Sequence, residues 1–295
     1  MQQVTVRVPA STSNLGPGFD CLGVALSLYN QITIKSGASG SGHRMIRDAA
    51  RNFFAVADCK AFDFSCDIRG NVPIGRGLGS SVTLRLGVLH ALNEMARTKL
   101  SRDELFKLCA ELEGHPDNAA PASFGGFTIV RGTDVQHFNV SPRLRFILLI
   151  PSFEVATIEA RRLLPADILR IDAARNAANV AAIAAAFATR DYKRLRGCFV
   201  DYLHQPFRKK LIPFLDRVVV AAERAGALGA FLSGSGSALC ALALVNQKKI
   251  AAAMMRASRL AHAQTIITRA DNHGVRIFGS TIGNKCQSSS DQFAI

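Results

Sequence analysis

The sequence predicts an α+β protein of two domains, and three observations carry that prediction. Strand-like and helical segments are mixed along the chain rather than alternating in βα units, which argues against an all-parallel sheet. The length, 295 residues, suits two modest domains or one large one. Prolines flank a buried-looking strand near Ser141–Pro151, which marks a boundary. We therefore expect one domain over residues 1–145, a second over 146–277, and a loose, polar, aperiodic tail over 278–295.

The elements follow in order. Val4–Val8 alternates like a strand, and Asn30–Lys35 reads as a second. Ser36-Gly-Ala-Ser-Gly-Ser-Gly42 has the composition of a flexible surface loop. Val82, Leu86, Leu89, Leu92 and Ala96 recur at three- and four-residue spacing, predicting an amphipathic helix over about Ser81–Arg97. A second helix spans Arg102–Glu113, opened by the capping box Ser101-x-x-Glu104 and closed by Gly114. Phe127–Val130 and Arg145–Ile150 read as strands. Helices are expected near Asp172–Thr189 (alanine-rich), Leu211–Ala225 and Lys248–Ala263, with a strand at about Leu239–Val245. There is no internal repeat.

Composition narrows the function class. Hydrophobic residues make up 48% of the chain, ample for a core, yet no uninterrupted apolar run is long enough to cross a bilayer. The opening residues alternate and lack a signal peptide's apolar block, so a cytoplasmic protein without membrane partners is expected. Seven cysteines include no Cys-x-x-Cys pair and no Cys/His metal spacing; Cys21, Cys109 and Cys240 sit among apolar neighbours, as core thiols do in a reducing compartment. The net charge of +14 is spread out, and its densest patches, such as Arg208-Lys209-Lys210, are short with little aromatic interleaving. No specific nucleic-acid partner is expected, because zinc-finger, ribonucleoprotein and basic-zipper patterns are all absent. A general positive field equally attracts an anionic nucleotide.

The most informative stretch is Pro73-Ile74-Gly75-Arg76-Gly77-Leu78-Gly79-Ser80-Ser81-Val82-Thr83. Three glycines within five positions, then two hydroxyls, lead directly into a helix. Glycine permits positive φ and lets backbone N–H groups approach an oxyanion. The helix adds unpaired N–H groups and the positive end of its dipole. A P-loop would need Lys where Ser80 stands, and Gly75-x-Gly77-x-Gly79 fails the dinucleotide pattern. Alone, such a loop is more often an ordinary turn.

Three further segments accompany it. Arg7 to Gly23 runs from a strand into a turn holding Asn14, Gly16, Pro17, Gly18 and Asp20, a usual place to grip a small polar substrate. Glu111-Leu-Glu-Gly-His-Pro-Asp-Asn118 puts Glu113 at a helix end, where a hard cation such as Mg²⁺ finds an oxygen ligand, and Asn118 in the following polar loop. Gly229-Ala-Phe-Leu-Ser-Gly-Ser-Gly-Ser237 is a second Gly/Ser loop. Each also has a plain structural reading: an Asx turn, a solvated helix-end charge, a tight turn.

In this order and spacing the segments resemble the motifs of the GHMP kinases, the galactokinase, homoserine kinase, mevalonate kinase and phosphomevalonate kinase superfamily. Pro-Ala-Ser-x-x-Asn-Leu-Gly-Pro-Gly-Phe-Asp-x-Leu-Gly over Pro9–Gly23 and Glu-Gly-His-Pro-Asp-Asn over Glu113–Asn118 resemble its homoserine kinase branch, and the likeness runs from residue 4 to about 275. The resemblance implies an N-terminal domain like ribosomal S5 domain 2 and a ferredoxin-like α/β sandwich, with the active site between them. It implies transfer of the γ-phosphoryl of ATP to the side-chain hydroxyl of L-homoserine, in threonine biosynthesis, using Mg²⁺. By the family pattern Pro73–Thr83 cradles the phosphates, Ser81 and Glu113 hold the metal, and Asn118 positions the attacking hydroxyl, with Asp117 the rival candidate for a base. Asn14 and Asp20 meet the substrate's amino group and hydroxyl region. Arg161 and Arg208, in matching local contexts, clamp its carboxylate, and His115 and Gly234 complete the substrate-binding set. A homodimer is a further expectation of the resemblance.

The chain departs from the pattern at three places. Val82 and Thr83 stand where the family has small residues, and Ser237 replaces a common Pro, which should loosen that turn. Between residues 36 and 52 the family's Asn-Leu-Val segment near the nucleotide base gives way to Arg44-Met-Ile46, so the adenine contacts are unassigned. Two alternatives stay open: another small-molecule kinase of the superfamily, and a catalytically inactive nucleotide- or nucleic-acid-binding relative.

Overall fold

In the computed structural model, which describes residues 2–37 and 43–281, the chain opens with a long antiparallel ribbon of β1 (Gln3–Asn14) and β2 (Gly18–Ser36). Helix α1 (Arg44–Val56), strand β3 (Phe64–Gly70) and helices α2 (Ser80–Ala96), α3 (Arg102–Glu113) and α4 (Ala119–Phe124) follow, then strands β4 (Phe127–Arg131) and β5 (Asp134–Phe138). The second half runs β6 (Arg145–Pro151), α5 (Thr157–Arg162), α6 (Arg170–Thr189), α7 (Gln205–Arg208) and α8 (Leu215–Arg224). It ends with β7 (Gly229–Leu232), β8 (Leu239–Ala243), α9 (Gln247–Ser258), β9 (Ala263–Thr268) and β10 (Arg276–Thr281).

The strands form two sheets. One has the order β10-β1-β2-β4-β5, with β3 added to β2; the other has the order β7-β8-β6-β9. Every pairing within them is antiparallel, as an α+β fold requires. The alternation in β1 is explained by burial: Val4, Val6 and Val8 join Ile32 and Ile34 of β2 in one core with α1, α2 and α3. Each such side chain contributes about 1.5–3 kcal/mol on full burial. Strand β6 is apolar after Arg145 because both its faces are covered. Ile147 and Leu149 pack with Val218 of α8 and Met254 of α9, whereas Phe146 and Leu148 pack with Leu22, Phe127 and Phe187. The second core therefore takes residues from both halves of the chain.

Several expectations are corrected by this arrangement. Helix α2 is not amphipathic: Leu84, Leu86, Val88, Leu89, Ala91 and Leu92 are buried around its circumference, because it lies between the ribbon and helices α1, α3 and α4. Gly87 lets it lie close to β2, since a Cβ there would stand 2.4 Å from Ile32 Cγ1. The helix expected over Lys248–Ala263 stops at Ser258; Arg259 turns left-handed, and Ala263 opens β9 against Pro151. The helix expected from Leu211 begins at Leu215, after Pro213, whose ring disfavours helical backbone at Ile212. The loose tail does not begin at 278. Residues Arg276–Thr281 form an edge strand on β1, with all six side chains exposed, so backbone hydrogen bonds hold it and its adjacent Ile277 and Phe278 show no alternation. Residues 38–42 of the Gly/Ser loop and 282–295 of the expected tail lie outside the described residues. Among the described residues, no helix is long and apolar enough to cross a membrane.

Candidate active site

The glycine loop folds as its composition requires. Gly75, Gly77 and Gly79 have φ of 65°, 69° and 69°, a region that L side chains enter only at a cost. At Gly77 the need is doubled, because a Cβ would lie 2.0 Å from the carbonyl oxygen of Ser233. The two Gly/Ser loops interlock there. Ser233 Oγ donates to Gly77 O at 2.7 Å, and the N–H of Ala238 donates to Arg76 O at 3.1 Å. Helix α2 starts at Ser80 with Gly79 as its N-cap and no side-chain cap. Its first turn opens into a hollow lined by Gly75, Gly77, Gly79, Ser80, Ser81 and Val82.

The turn between β1 and β2 forms a second wall. Asn14, Leu15 and Asp20 all adopt positive φ (71°, 45° and 57°), which costs of order 1–3 kcal/mol per residue unless the surroundings impose it. They do. Asn14 Nδ2 donates to Gly234 O at 3.0 Å, and its Oδ1 accepts from the N–H of Asp20 at 3.1 Å. Asn176 Nδ2 donates to Pro17 O at 2.7 Å, and His204 Nε2 lies 2.8 Å from Gly16 O. Burial, helped by the nearby Arg208 charge, lowers the His204 imidazole to about 4 despite the opposing pull of Asp201. At neutral pH the ring is therefore neutral; its Nε2–H donates to Gly16, leaving Nδ1 to accept from Arg208 Nη1 at 3.3 Å.

The third wall comes from the end of α3 and the loop after it. Ser81 Oγ donates to Glu113 Oε2 at 2.9 Å. Asn118 accepts from Ser11 Oγ at 2.8 Å and donates to Ser13 Oγ at 2.9 Å, which fixes its amide orientation. His115 Nδ1 lies 3.0 Å from Asp117 Oδ1. That hydrogen bond outweighs burial and raises the imidazole above its usual range. For Asp117, burial pushes the carboxyl up, but the hydrogen bond and charge of His115, with Ser13 and Arg161, prevail and hold it below its usual range.

The electrostatics of the hollow follow from its pairings. Asp20 takes a bidentate pair of bonds from Arg161, at 3.0 and 2.7 Å. Glu113 pairs with Arg85, and Asp117 with His115. Arg208 has no carboxylate of its own among these; it is 2% exposed, its Nη1 donates to Gly234 O at 3.0 Å, and its Nε donates to Ala160 O at 3.3 Å. Burial lowers it only to about 10, so it stays cationic at neutral pH. Each carboxylate is thus matched, leaving the Arg208 charge and the start of α2 as surplus positive potential. Such a hollow favours an anion.

Of the residues expected from the sequence, Asn14, Asp20, Glu113, His115, Asp117, Asn118, Arg161, Arg208 and Gly234 line this one hollow with the six loop residues named above. The rest of the Pro73–Thr83 cradle does not. Pro73, Ile74 and Arg76 line a neighbouring groove beside Pro151, because the Arg76 guanidinium is held by the carbonyls of Pro151 and Ile74. Leu78 is buried in the core. Thr83 turns toward the ribbon, accepting from Asn30 Nδ2 at 2.8 Å and donating to Ser80 O at 2.7 Å. Asp20 and Arg161, expected to hold opposite ends of a ligand, hold each other. Nor is the Ser237 turn loosened: its buried hydroxyl donates to Phe153 O at 2.5 Å. Ser13, Val155, Thr157 and Ser235 also line the hollow, and sequence reasoning missed them. Ser13 and Ser235 sit inside quoted motifs, which was the available signal.

Among the described residues, no group of three or more His, Cys, Asp and Glu side chains could hold a metal ion alone. The Glu113 carboxylate and Ser81 hydroxyl are nevertheless hard oxygen donors beside the anion-binding loop. That set fits a Mg²⁺ ion whose remaining ligands are phosphate oxygens and water.

The chain is similar to known proteins over most of its length. Residues 43–126 match the GHMP kinases N terminal domain, and residues 183–259 match the GHMP kinases C terminal domain. The homoserine kinase of Caldicellulosiruptor bescii is 36% identical, covering 93% of this chain and 97% of that protein. The homoserine kinase of Carboxydothermus hydrogenoformans is 39% identical, covering 81% and 85%. Among solved structures, homoserine kinase from Cytophaga hutchinsonii superposes with a TM-score of 0.83 at 26% identity, over 94% of this chain and 97% of that one. Mevalonate kinase of Methanococcus jannaschii, at 17% identity and a TM-score of 0.70 over 90% and 98% of the two chains, shares the fold.

Proposed function

We infer the reaction from a plain premise: the chain belongs to the GHMP kinase family, among its homoserine kinases. It transfers the γ-phosphoryl group of ATP to the side-chain hydroxyl of L-homoserine, giving O-phospho-L-homoserine in threonine biosynthesis. The observation that carries this reading is a single hollow, in which a glycine cradle at a helix start faces a carboxylate–guanidinium pair and a buried arginine.

Phosphoryl transfer passes through a loose transition state, so positioning and electrostatic stabilisation do most of the catalysis. The amides of Gly75, Gly77, Gly79, Ser80 and Ser81 bind the phosphate tail. Ser81 and Glu113 are the residues that would hold Mg²⁺, which when bound neutralises phosphate charge. At the other end, an amino acid brings an adjacent ammonium and carboxylate, which the Asp20–Arg161 pair and Arg208 complement. Asp20 receives the ammonium; Arg161 and Arg208 take the carboxylate, as planar guanidinium forks do. Asn14, His115 and Gly234 shape this pocket and hold Arg208 and Asp117 in place.

Asn118 cannot take a proton at neutral pH. It orients the hydroxyl, and the proton leaves late, to a phosphate oxygen. Asp117 is ionised but buried and already accepts from His115, which makes it a positioning carboxylate rather than a base. The test is ADP release in a coupled assay with L-homoserine, using L-threonine and L-serine as controls. Strong stimulation by homoserine alone is expected; none would remove the substrate assignment.

A further inference from the structure

Arg85 lies one helical turn beyond Ser81 on α2, flanked by the buried Leu84 and Leu86. Its side chain is 15% exposed and pairs through Nη1 with Oε1 of Glu113, which is 7% exposed. The contact is a close ion pair, and the Arg85 Nε beside it is buried without a hydrogen-bond partner. Oε2 of the same carboxylate accepts from Ser81. Both oxygens of Glu113 are therefore engaged within the chain. A guanidinium in this position is costly, because a buried ion pair seldom repays its desolvation and here one N–H is also unsatisfied. Arg85 does not line the hollow; it backs Glu113 from behind.

We propose that Arg85 is a positioning residue, an internal counter-charge that masks Glu113, so that the nucleotide-free enzyme holds a divalent cation weakly and takes it up together with the nucleotide. The proposal rests on the kinase reading, in which Glu113 is the cation's carboxylate. A cation at Glu113 meets the like charge of Arg85, and a paired carboxylate offers it little net attraction. The negative charge of bound phosphates reverses that balance.

The experiment titrates Mn²⁺ into the full chain and follows loss of the free-ion electron paramagnetic resonance signal, with and without a non-hydrolysable ATP analogue. Without nucleotide, Arg85→Gln should bind Mn²⁺ roughly tenfold or more tighter than the wild type, and Arg85→Lys should stay near the wild type. With the analogue bound, the difference should narrow. Unchanged or weaker Mn²⁺ binding by Arg85→Gln in the absence of nucleotide would overturn the proposal. If Arg85→Gln does not fold, Glu113→Gln decides. A masked carboxylate predicts near-equal Mn²⁺ affinity in that variant and the nucleotide-free wild type, and clearly tighter binding by the wild type would overturn the proposal. Homoserine-dependent ADP release is measured on the same preparations. Its absence with the Mn²⁺ contrast intact counts against the kinase reading alone; a lost contrast with turnover intact counts against Arg85 alone.

Discussion

Replacing Gly77 with alanine tests the interlocked loops most sharply. Two costs are separable. The first is conformational: at φ 69° an L-residue pays roughly 1–2 kcal/mol. The second is steric, because the new Cβ would stand 2.0 Å from Ser233 O and 2.9 Å from the nitrogen of Gly236. Backbone atoms cannot rotate away, so one loop must move, and overpacking of this kind costs typically about 1–3 kcal/mol. The sum is roughly 2–5 kcal/mol, which lowers the melting temperature by roughly 5–15 °C in a domain of this size. Gly197→Ala is the matched control, with φ 80° and nothing within 4 Å of the new Cβ, so it pays only the first cost. Since the chain has no tryptophan, far-UV circular dichroism is the natural probe of melting. Gly77→Ala should also raise the KM for ATP, whereas Gly197→Ala should leave it alone. Equal destabilisation by the two substitutions, with ATP affinity unaltered in both, would refute the reasoning.

Other predictions concern charge and protonation. Arg161→Ala and Arg208→Ala should each raise the KM for homoserine roughly tenfold or more while changing that for ATP less, and an unchanged homoserine KM in both ends the carboxylate clamp. Only Arg208→Ala should also lower stability substantially, because it strips a buried donor from Gly234 O and Ala160 O. Asp117→Asn should retain kcat to within about tenfold; loss of a general base would cost about 100- to 10,000-fold, and such a loss would make Asp117 the base. His204 has a folded value of about 4, below its unfolded 6.5, so the unfolded chain takes up the proton first as pH falls. Its contribution is present above about pH 6.5 and is lost towards pH 4, by at most roughly 3 kcal/mol. Urea midpoints of wild type and His204→Gln across that window should diverge in slope; parallel curves would contradict this.

Much of the site was legible in the sequence because its geometry depends on residue types that have few other uses. Gly75, Gly77 and Gly79 are needed for their positive φ, Ser101 and Glu104 form the expected capping box, and α3 runs from Arg102 to Glu113 as read. What went unread has more than one cause. Helix α1 carries a clear apolar stripe, Ile46, Ala49, Ala50 and Phe53 at three- and four-residue spacing, and was legible. Strand β10 is exposed and held through the backbone, so no alternation marks it; in β3 Phe64, Cys66 and Ile68 do alternate, but the strand is short and ends in exposed Arg69 and Gly70. Pairings across distant segments, such as Asp20 with Arg161 or Arg85 with Glu113, leave no trace in local spacing. The resemblance supplied the residues of the pocket, and only the fold showed which of them already have partners.

The most direct measurement of the central claim is phosphorus NMR of the full chain incubated with ATP, Mg²⁺ and L-homoserine. A new phosphomonoester resonance coupled to the protons of the side-chain methylene, appearing in step with ADP, is the predicted result. ADP formed with inorganic phosphate alone, and no resonance coupled to the amino acid, would contradict it.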